Sequence, residues 1–125
     1  MILKTYARWF THDVDAALPA LESIVGRQAE YRFAFGDLEI AGIGDFCVVA
    51  GCAEALAPYT GTVGPVVVDD LDATQALVLA AGASISRDEE TSTTGRFFYA
   101  RHPDGVEVEY LQWNPETLQK VFGTR

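Results

Sequence analysis

The sequence predicts an α+β fold in which two βαβββ modules build a cupped mixed sheet with the helices on its outer faces. Three observations carry that expectation. The order strand, helix, strand, strand, strand is read twice along the 125 residues from hydrophobic periods near two and near 3.6. The letters repeat as well, since Asp13-Val14-Asp15-Ala16 and Asp70-Leu71-Asp72-Ala73 stand at an offset of 57. Hydrophobic residues make up 49% and charged residues 22% of the chain, which is the composition of one packed domain rather than of a disordered segment.

The first module covers about residues 1–51. A strand is expected at Ile2 to Phe10, then a helix at Asp15 to Val25 with an upstream Asp as cap, since a carboxylate there accepts from the orphan N–H groups of the first turn. Pro19 lies inside that helical pattern and predicts a late start or a kink. Strands follow at Glu30 to Phe35, Leu38 to Ile43 and Phe46 to Gly51, with Gly36-Asp37 and Gly44-Asp45 as the hairpin turns. Residues 52–61, with Pro58 and Gly61, read as a linker.

The second module covers about residues 62–113. It offers a strand at Val63 to Val68, a helix at Asp70 to Ala81 closed by Gly82, a strand at Ser84 to Arg87, and two more at Arg96 to Arg101 and Val106 to Gln112. Between them the polar run Arg87 to Gly95 reads as a solvated loop, or as a flap over the mouth of a cup. Pro103 and Gly105 in His102-Pro103-Asp104-Gly105 suit positions two and four of a type I turn. After that turn, period two puts Glu107, Glu109, Leu111 and Trp113 on one face and Val106, Val108 and Tyr110 on the other. Asn114-Pro115 opens a short terminal helix over about 115–122.

The formal net charge of −9 argues against nucleic acid as partner, because a phosphate backbone calls for clustered Lys and Arg. No apolar run approaches the length of a bilayer span and no secretory leader is seen at Met1, so the expected location is the cytoplasm. Cys47 and Cys52 form no metal or redox spacing and read as reduced thiols. No Ser/His/Asp or Cys/His arrangement and no Gly-rich phosphate loop is present. The Asp residues around 13–15 and 69–72 are most simply helix caps and dipole partners.

The strand-to-helix junction Val68-Asp69-Asp70-Leu71-Asp72-Ala73, the segment Ala80-Ala81-Gly82-Ala83 and the closing His102-Pro103-Asp104-Gly105 with Glu109 resemble the vicinal oxygen chelate superfamily. That superfamily contains glyoxalase I, extradiol dioxygenases, methylmalonyl-CoA epimerase, and the fosfomycin and bleomycin resistance proteins. The resemblance implies four inward positions on the first and last strand of each module, where its enzymes hold a metal. Carried onto this chain, those positions are Tyr6, Val49, Val63 and Glu109. Only Glu109 is a usual divalent-metal ligand, and one carboxylate does not make a catalytic site that needs about three protein ligands. No cofactor is therefore expected.

Strand alternation then gives the cup a lining. Ile2, Lys4, Tyr6, Arg8 and Phe10 come from the first strand, Cys47 and Val49 from the fourth, Val63, Pro65 and Val67 from the fifth. The last strand adds Glu107, Glu109, Leu111 and Trp113. From these, the candidate ligand-binding residues are Tyr6, Arg8, Cys47, Val49, Val63, Glu107, Glu109, Leu111 and Trp113, in keeping with a pocket that has apolar walls and a few convergent polar groups. The two glutamates have a plainer alternative, pairing with Lys4 or Arg8 as a structural ion network. Tyr6 is open between a hydroxyl donor to ligand and a core phenol, and the remaining aromatics are assigned to the core.

The functional expectation is a metal-free small-molecule binding protein, similar to the bleomycin-type antibiotic resistance proteins that sequester a drug, rather than an enzyme. Its ligand would be a small organic molecule, cationic or aromatic, and a homodimer is expected from the resemblance and from exposed strand edges. The alternative is a glyoxalase-, epimerase- or dioxygenase-type enzyme, metal-dependent or using Glu109 as general base with Arg8 and Tyr6 stabilising an oxyanion.

Overall fold

A computed structural model describes residues 1–123. The chain runs β1 (Ile2–Thr5), β2 (Ala7–Thr11), α1 (Val14–Val25), β3 (Tyr31–Phe35), β4 (Leu38–Ile43), β5 (Phe46–Ala50) and α2 (Ala53–Leu56). It continues through β6 (Thr62–Val68), α3 (Leu71–Ala80), β7 (Ser84–Thr91), β8 (Gly95–Arg101), β9 (Glu107–Trp113) and α4 (Pro115–Phe122). The strands form two sheets in the orders β2-β5-β4-β3 and β1-β6-β9-β8-β7. Within each, the module's first strand runs parallel to its last, β2 beside β5 and β6 beside β9, so the two modules share one topology.

The predicted first strand is in fact two. It breaks at Tyr6, so β1 pairs with β6 in the second module's sheet while β2 pairs with β5 in its own. This crossing stitches the modules together, and the backbone N–H of Tyr6 donates to the Pro65 carbonyl at the crossing point (3.2 Å).

Each helix begins where a side chain can replace a missing backbone acceptor. Asp13 accepts from the Asp15 N–H, Asp70 from the Ala73 N–H and Asn114 from the Thr117 N–H. Helix α1 starts at Val14 and runs through Pro19, so the late start expected from that proline does not occur. Its buried stripe of Val14, Ala17, Leu18 and Leu21 packs on Ala41, Ile43, Val48 and Ala50, the outer face of the first sheet. Helix α3 covers the outer face of the second sheet in the same way, through Leu71 and Val78 on Val66, Val68, Phe98 and Ala100.

The inner faces meet each other within one chain. Tyr31, Leu38, Cys47 and Val49 from the first sheet share a core with Val67, Phe97, Tyr99, Leu111 and Trp113 from the second. The polar run expected to be a loop is instead ordered, since β7 extends to Thr91 and turns through Ser92–Thr94 into β8. The linker contains α2, whose Leu56 is buried in the inner core.

Bulges in β6 and β7 reset which side chains face inward. On β6, Val63 pairs with Val108 and Val66 with Tyr110, so three steps oppose two and one residue is extra. Pro65, which cannot donate to a ladder, sits in that bulge rather than on a sheet edge. On β7, Ile85 pairs with Ala100 and Arg87 with Tyr99, two steps against one. Ser86 and Arg87, neighbours in sequence, therefore reach the same side of the sheet, where both donate to Glu107 Oε2 (2.6 and 3.2 Å).

Candidate functional site

Between the sheets lies a cavity open to solvent at its mouth, with about 600 Å³ of space when the open solvent there is included. Its polar floor is built from three strands. Arg8 on β2 reaches across to β9 and β8, where its Nη2 donates to Glu109 Oε1 and to the Tyr99 hydroxyl (3.1 Å for the latter). Its Nε donates to the Gly64 carbonyl (3.0 Å) and its Nη1 to the Thr62 hydroxyl. Four of the five guanidinium N–H bonds are thereby committed, leaving one on Nη1. The Thr62 hydroxyl in turn donates to the Tyr59 carbonyl (2.7 Å), which fixes the acceptor that holds Arg8.

Glu109 is held at one oxygen only. Oε1 accepts from Arg8 and from Tyr99 Oη (3.3 Å), whereas Oε2 accepts no hydrogen bond among the described residues. The carboxylate lines the cavity with just 14% of its side chain exposed. Burial pushes its pKa above the ordinary glutamate value, and the charge and hydrogen bond of Arg8, the hydrogen bond of Tyr99 and the charge of Arg87 offset only part of that rise. Burial likewise raises the Tyr99 phenol and, assisted by the Glu109 charge, pushes the Cys47 thiol up to about 12. Cys47 is thus a protonated wall residue and not a nucleophile.

The structure sorts the sequence-predicted residues. Arg8, Cys47, Val49, Glu109 and Leu111 line the cavity. Tyr6 does not: it is buried against Trp113, and burial raises its pKa, as a core phenol's would be. Trp113 is enclosed by Tyr6, Tyr31 and Phe122 rather than open to ligand, and its indole N–H has no partner among the described residues. Val63 is turned outward and 47% exposed, because the β6 bulge reverses the alternation that would have pointed it inward. Glu107 shares Glu109's face but belongs to an outer ion cluster with Ser86, Arg87 and Arg101. Burial alone would raise its pKa, yet those three partners hold it below the usual carboxylate value.

Several lining residues escaped the sequence reading. Phe33, Phe35 and Ile40 come from β3 and β4, Phe97 and Tyr99 from β8, and Tyr59 from the linker. Ser92 and Thr94 add hydroxyls from the β7–β8 turn. The alternation of Phe33 with Phe35 and of Phe97 with Tyr99 was the available signal; it marks rings on one strand face but not which face is shared with a pocket.

The donor set does not fit a metal. Among the described residues no group of three or more His, Cys, Asp or Glu is placed to hold one. Glu109 has a guanidinium as its counter-charge, and its other neighbours are phenols and a protonated thiol. His12 bonds the Gly51 carbonyl and His102 the Tyr110 hydroxyl, both away from the cavity. No step of chemistry is therefore assigned to a metal.

No family model matches the chain, and no curated protein matches it. Solved structures do. A crystal structure of an uncharacterized, hypothetical protein from Methanosarcina mazei is 32% identical, with a TM-score of 0.85 over 91% of this chain and 94% of that one. A Streptomyces coelicolor methylmalonyl-CoA epimerase variant in complex with 2-nitronate-propionyl-CoA is 16% identical, with a TM-score of 0.69 over 92% of this chain and 97% of that one. A methylmalonyl-CoA epimerase in complex with methylmalonyl-CoA and NH4+ gives the same identity, coverage and TM-score. These matches correct the expectation that the chain is not an enzyme, since two of the solved structures similar to it over nearly its whole length are of epimerases. The chain belongs to one family with the Methanosarcina mazei protein, and its fold is that of the vicinal oxygen chelate superfamily.

Proposed function

We propose that this protein is a proton-transfer enzyme of the isomerase or lyase type, with Glu109 as general base toward a carbon acid next to a carbonyl group. The observation that carries the reading is the asymmetry of the Glu109 carboxylate, anchored at Oε1 by Arg8 and Tyr99 with Oε2 left free at the cavity. A raised pKa makes its ionised form a stronger base than a surface glutamate. In the reaction the C–H bond breaks, its proton passes to Oε2, and the electron pair moves onto the carbonyl oxygen as an enolate. The remaining Arg8 N–H is a donor for that developing charge. Return of the proton from Glu109 closes the cycle without any co-reactant.

The test is α-proton exchange into D2O, followed by NMR across a panel of ketones and thioesters. Glu109→Gln should cut the exchange rate roughly 10²- to 10⁴-fold while binding persists, and the wild-type rate should rise with pH as the carboxyl ionises and then level off. Equal exchange by the variant overturns the assignment.

The homodimer and the cytoplasmic location belong to the same reading. Support for the former is the exposed apolar set Met1, Ile2, Trp9 and Val63, and for the latter the two free thiols. Light scattering of the purified protein tests the dimer directly.

A further inference from the structure

We infer that the substrate is an uncharged carbonyl compound bearing an aryl or similarly flat apolar group, and not a coenzyme A thioester or a dicarboxylic acyl group. This deepens the proton-transfer reading and rests on the same cavity being the site. Three independent observations converge on it.

The first is the wall of the cavity. Phe33 and Phe35 come from one sheet, Phe97 and Tyr99 from the other, so rings face each other across the space. Phe35 and Phe97 already meet edge to face at 5.6 Å, the geometry that also accepts a third ring. Among the described residues the charged members of the lining are Arg8 and Glu109, and they neutralise each other. A second carboxylate, such as a malonyl group carries, would enter beside Glu109 with no cation left to meet it.

The second is the state of the cations. All eight described Lys and Arg side chains are already paired with carboxylates: Lys4, Arg8, Arg27, Arg32, Arg87, Arg96, Arg101 and Lys120. Even the terminal amine is paired, with Asp69. Recruiting any of them to a phosphate would leave a carboxylate next to that phosphate, on a chain of net charge −9. Arg87 stacks over the lining residues Tyr59 and Tyr99 at 4.9 and 4.7 Å and is held there by Glu107 and the Pro58 carbonyl.

The third is the helix ends. The N-termini of α1, α3 and α4, where a phosphate would find free N–H groups, are capped by Asp13, Asp70 and Asn114. Each also has an acid in its first turn: Asp15, Asp72 and Glu116. Helix α2 has no side-chain cap, but it is a single turn that carries Glu54, so none of the four helix starts among the described residues offers a phosphate an acid-free first turn.

Phenylacetone and methylmalonyl-CoA separate the alternatives, because the first offers a ring and an acidic C–H beside a carbonyl and the second offers the charged groups. Binding of each to the wild-type protein is measured by calorimetry and saturation-transfer NMR, and exchange of the benzylic protons of phenylacetone is followed in D2O. Phenylacetone should bind at least about tenfold more tightly than methylmalonyl-CoA, and Phe35→Leu, which keeps an apolar wall, should weaken it roughly five- to tenfold. Phenylacetone that fails to bind at millimolar concentration, or methylmalonyl-CoA that binds as tightly, overturns the substrate class. Tight binding of phenylacetone with no exchange leaves the substrate class standing and overturns Glu109 as base, so the two failures are told apart.

Discussion

Replacing Arg8 with Met gives the sharpest test of the floor of the cavity. The substitution keeps an apolar stem and removes the charge that faces Glu109, in a pair whose side chains are 7% and 14% exposed. Breaking a buried ion pair by deleting one partner costs about 3–5 kcal/mol, because the other charge is left uncompensated. The Gly64 carbonyl also loses its donor, at about 1 kcal/mol, whereas the Thr62 hydroxyl keeps its bond to Tyr59. The expected loss is therefore about 5 kcal/mol at pH 8, which at a urea slope of about 2 kcal/mol/M lowers the denaturation midpoint by about 2.5 M.

The pH dependence follows from Glu109. Its pKa in the folded protein is already raised by burial, and without Arg8 it rises further. A carboxyl with a raised folded pKa contributes stability that is complete below its unfolded value and lost as pH climbs through the folded one. Arg8→Met should thus lie closer to wild type at pH 5 than at pH 8. In the double variant Arg8→Met/Glu109→Leu both charges are gone and at least half of the loss should return. Urea unfolding followed by tryptophan fluorescence measures all of this. A single-variant loss below about 1 kcal/mol at pH 8, an equal loss at both pH values, or a double variant no better than the single would refute the reasoning.

Two further outcomes are expected. Glu107→Gln should cost about 1–2 kcal/mol at pH 7, a moderate value because Arg87 and Arg101 are partly exposed. Since the folded pKa of Glu107 is lowered, the difference from wild type should vanish as pH falls through the carboxylate range, and phenylacetone binding should not change because Glu107 lies outside the cavity. Gly42→Ala would set a methyl group into the ring of Tyr31, its cross-strand partner and a cavity wall. It should lower stability by about 1–3 kcal/mol and weaken ligand binding, both read from thermal melts with and without phenylacetone; a variant as stable as wild type would show that Tyr31 does not depend on the bare glycine backbone.

Much of this protein was legible in its letters. The repeated Asp-x-Asp-Ala junctions, the period-two strands and the type I turn before β9 determined two βαβββ modules with caps at the helix starts, because local hydrogen bonding and burial periodicity act over a few residues. Glu109 stood out for the same reason, as a carboxylate on an otherwise apolar strand face. Tertiary structure decided what those periods cannot encode. The interruption of the first strand at Tyr6 moved β1 into the other sheet, so Arg8 and not Tyr6 came to meet Glu109 across the cavity. The bulge in β6 turned Val63 outward, and the one in β7 brought Ser86 and Arg87 to the same side to hold Glu107 out of the site. One extra residue in a strand reverses every side chain beyond it, and whether a partner strand accepts that residue depends on contacts far away in sequence. Sequence thus determined which residue types were available, and sheet pairing decided which of them share a floor.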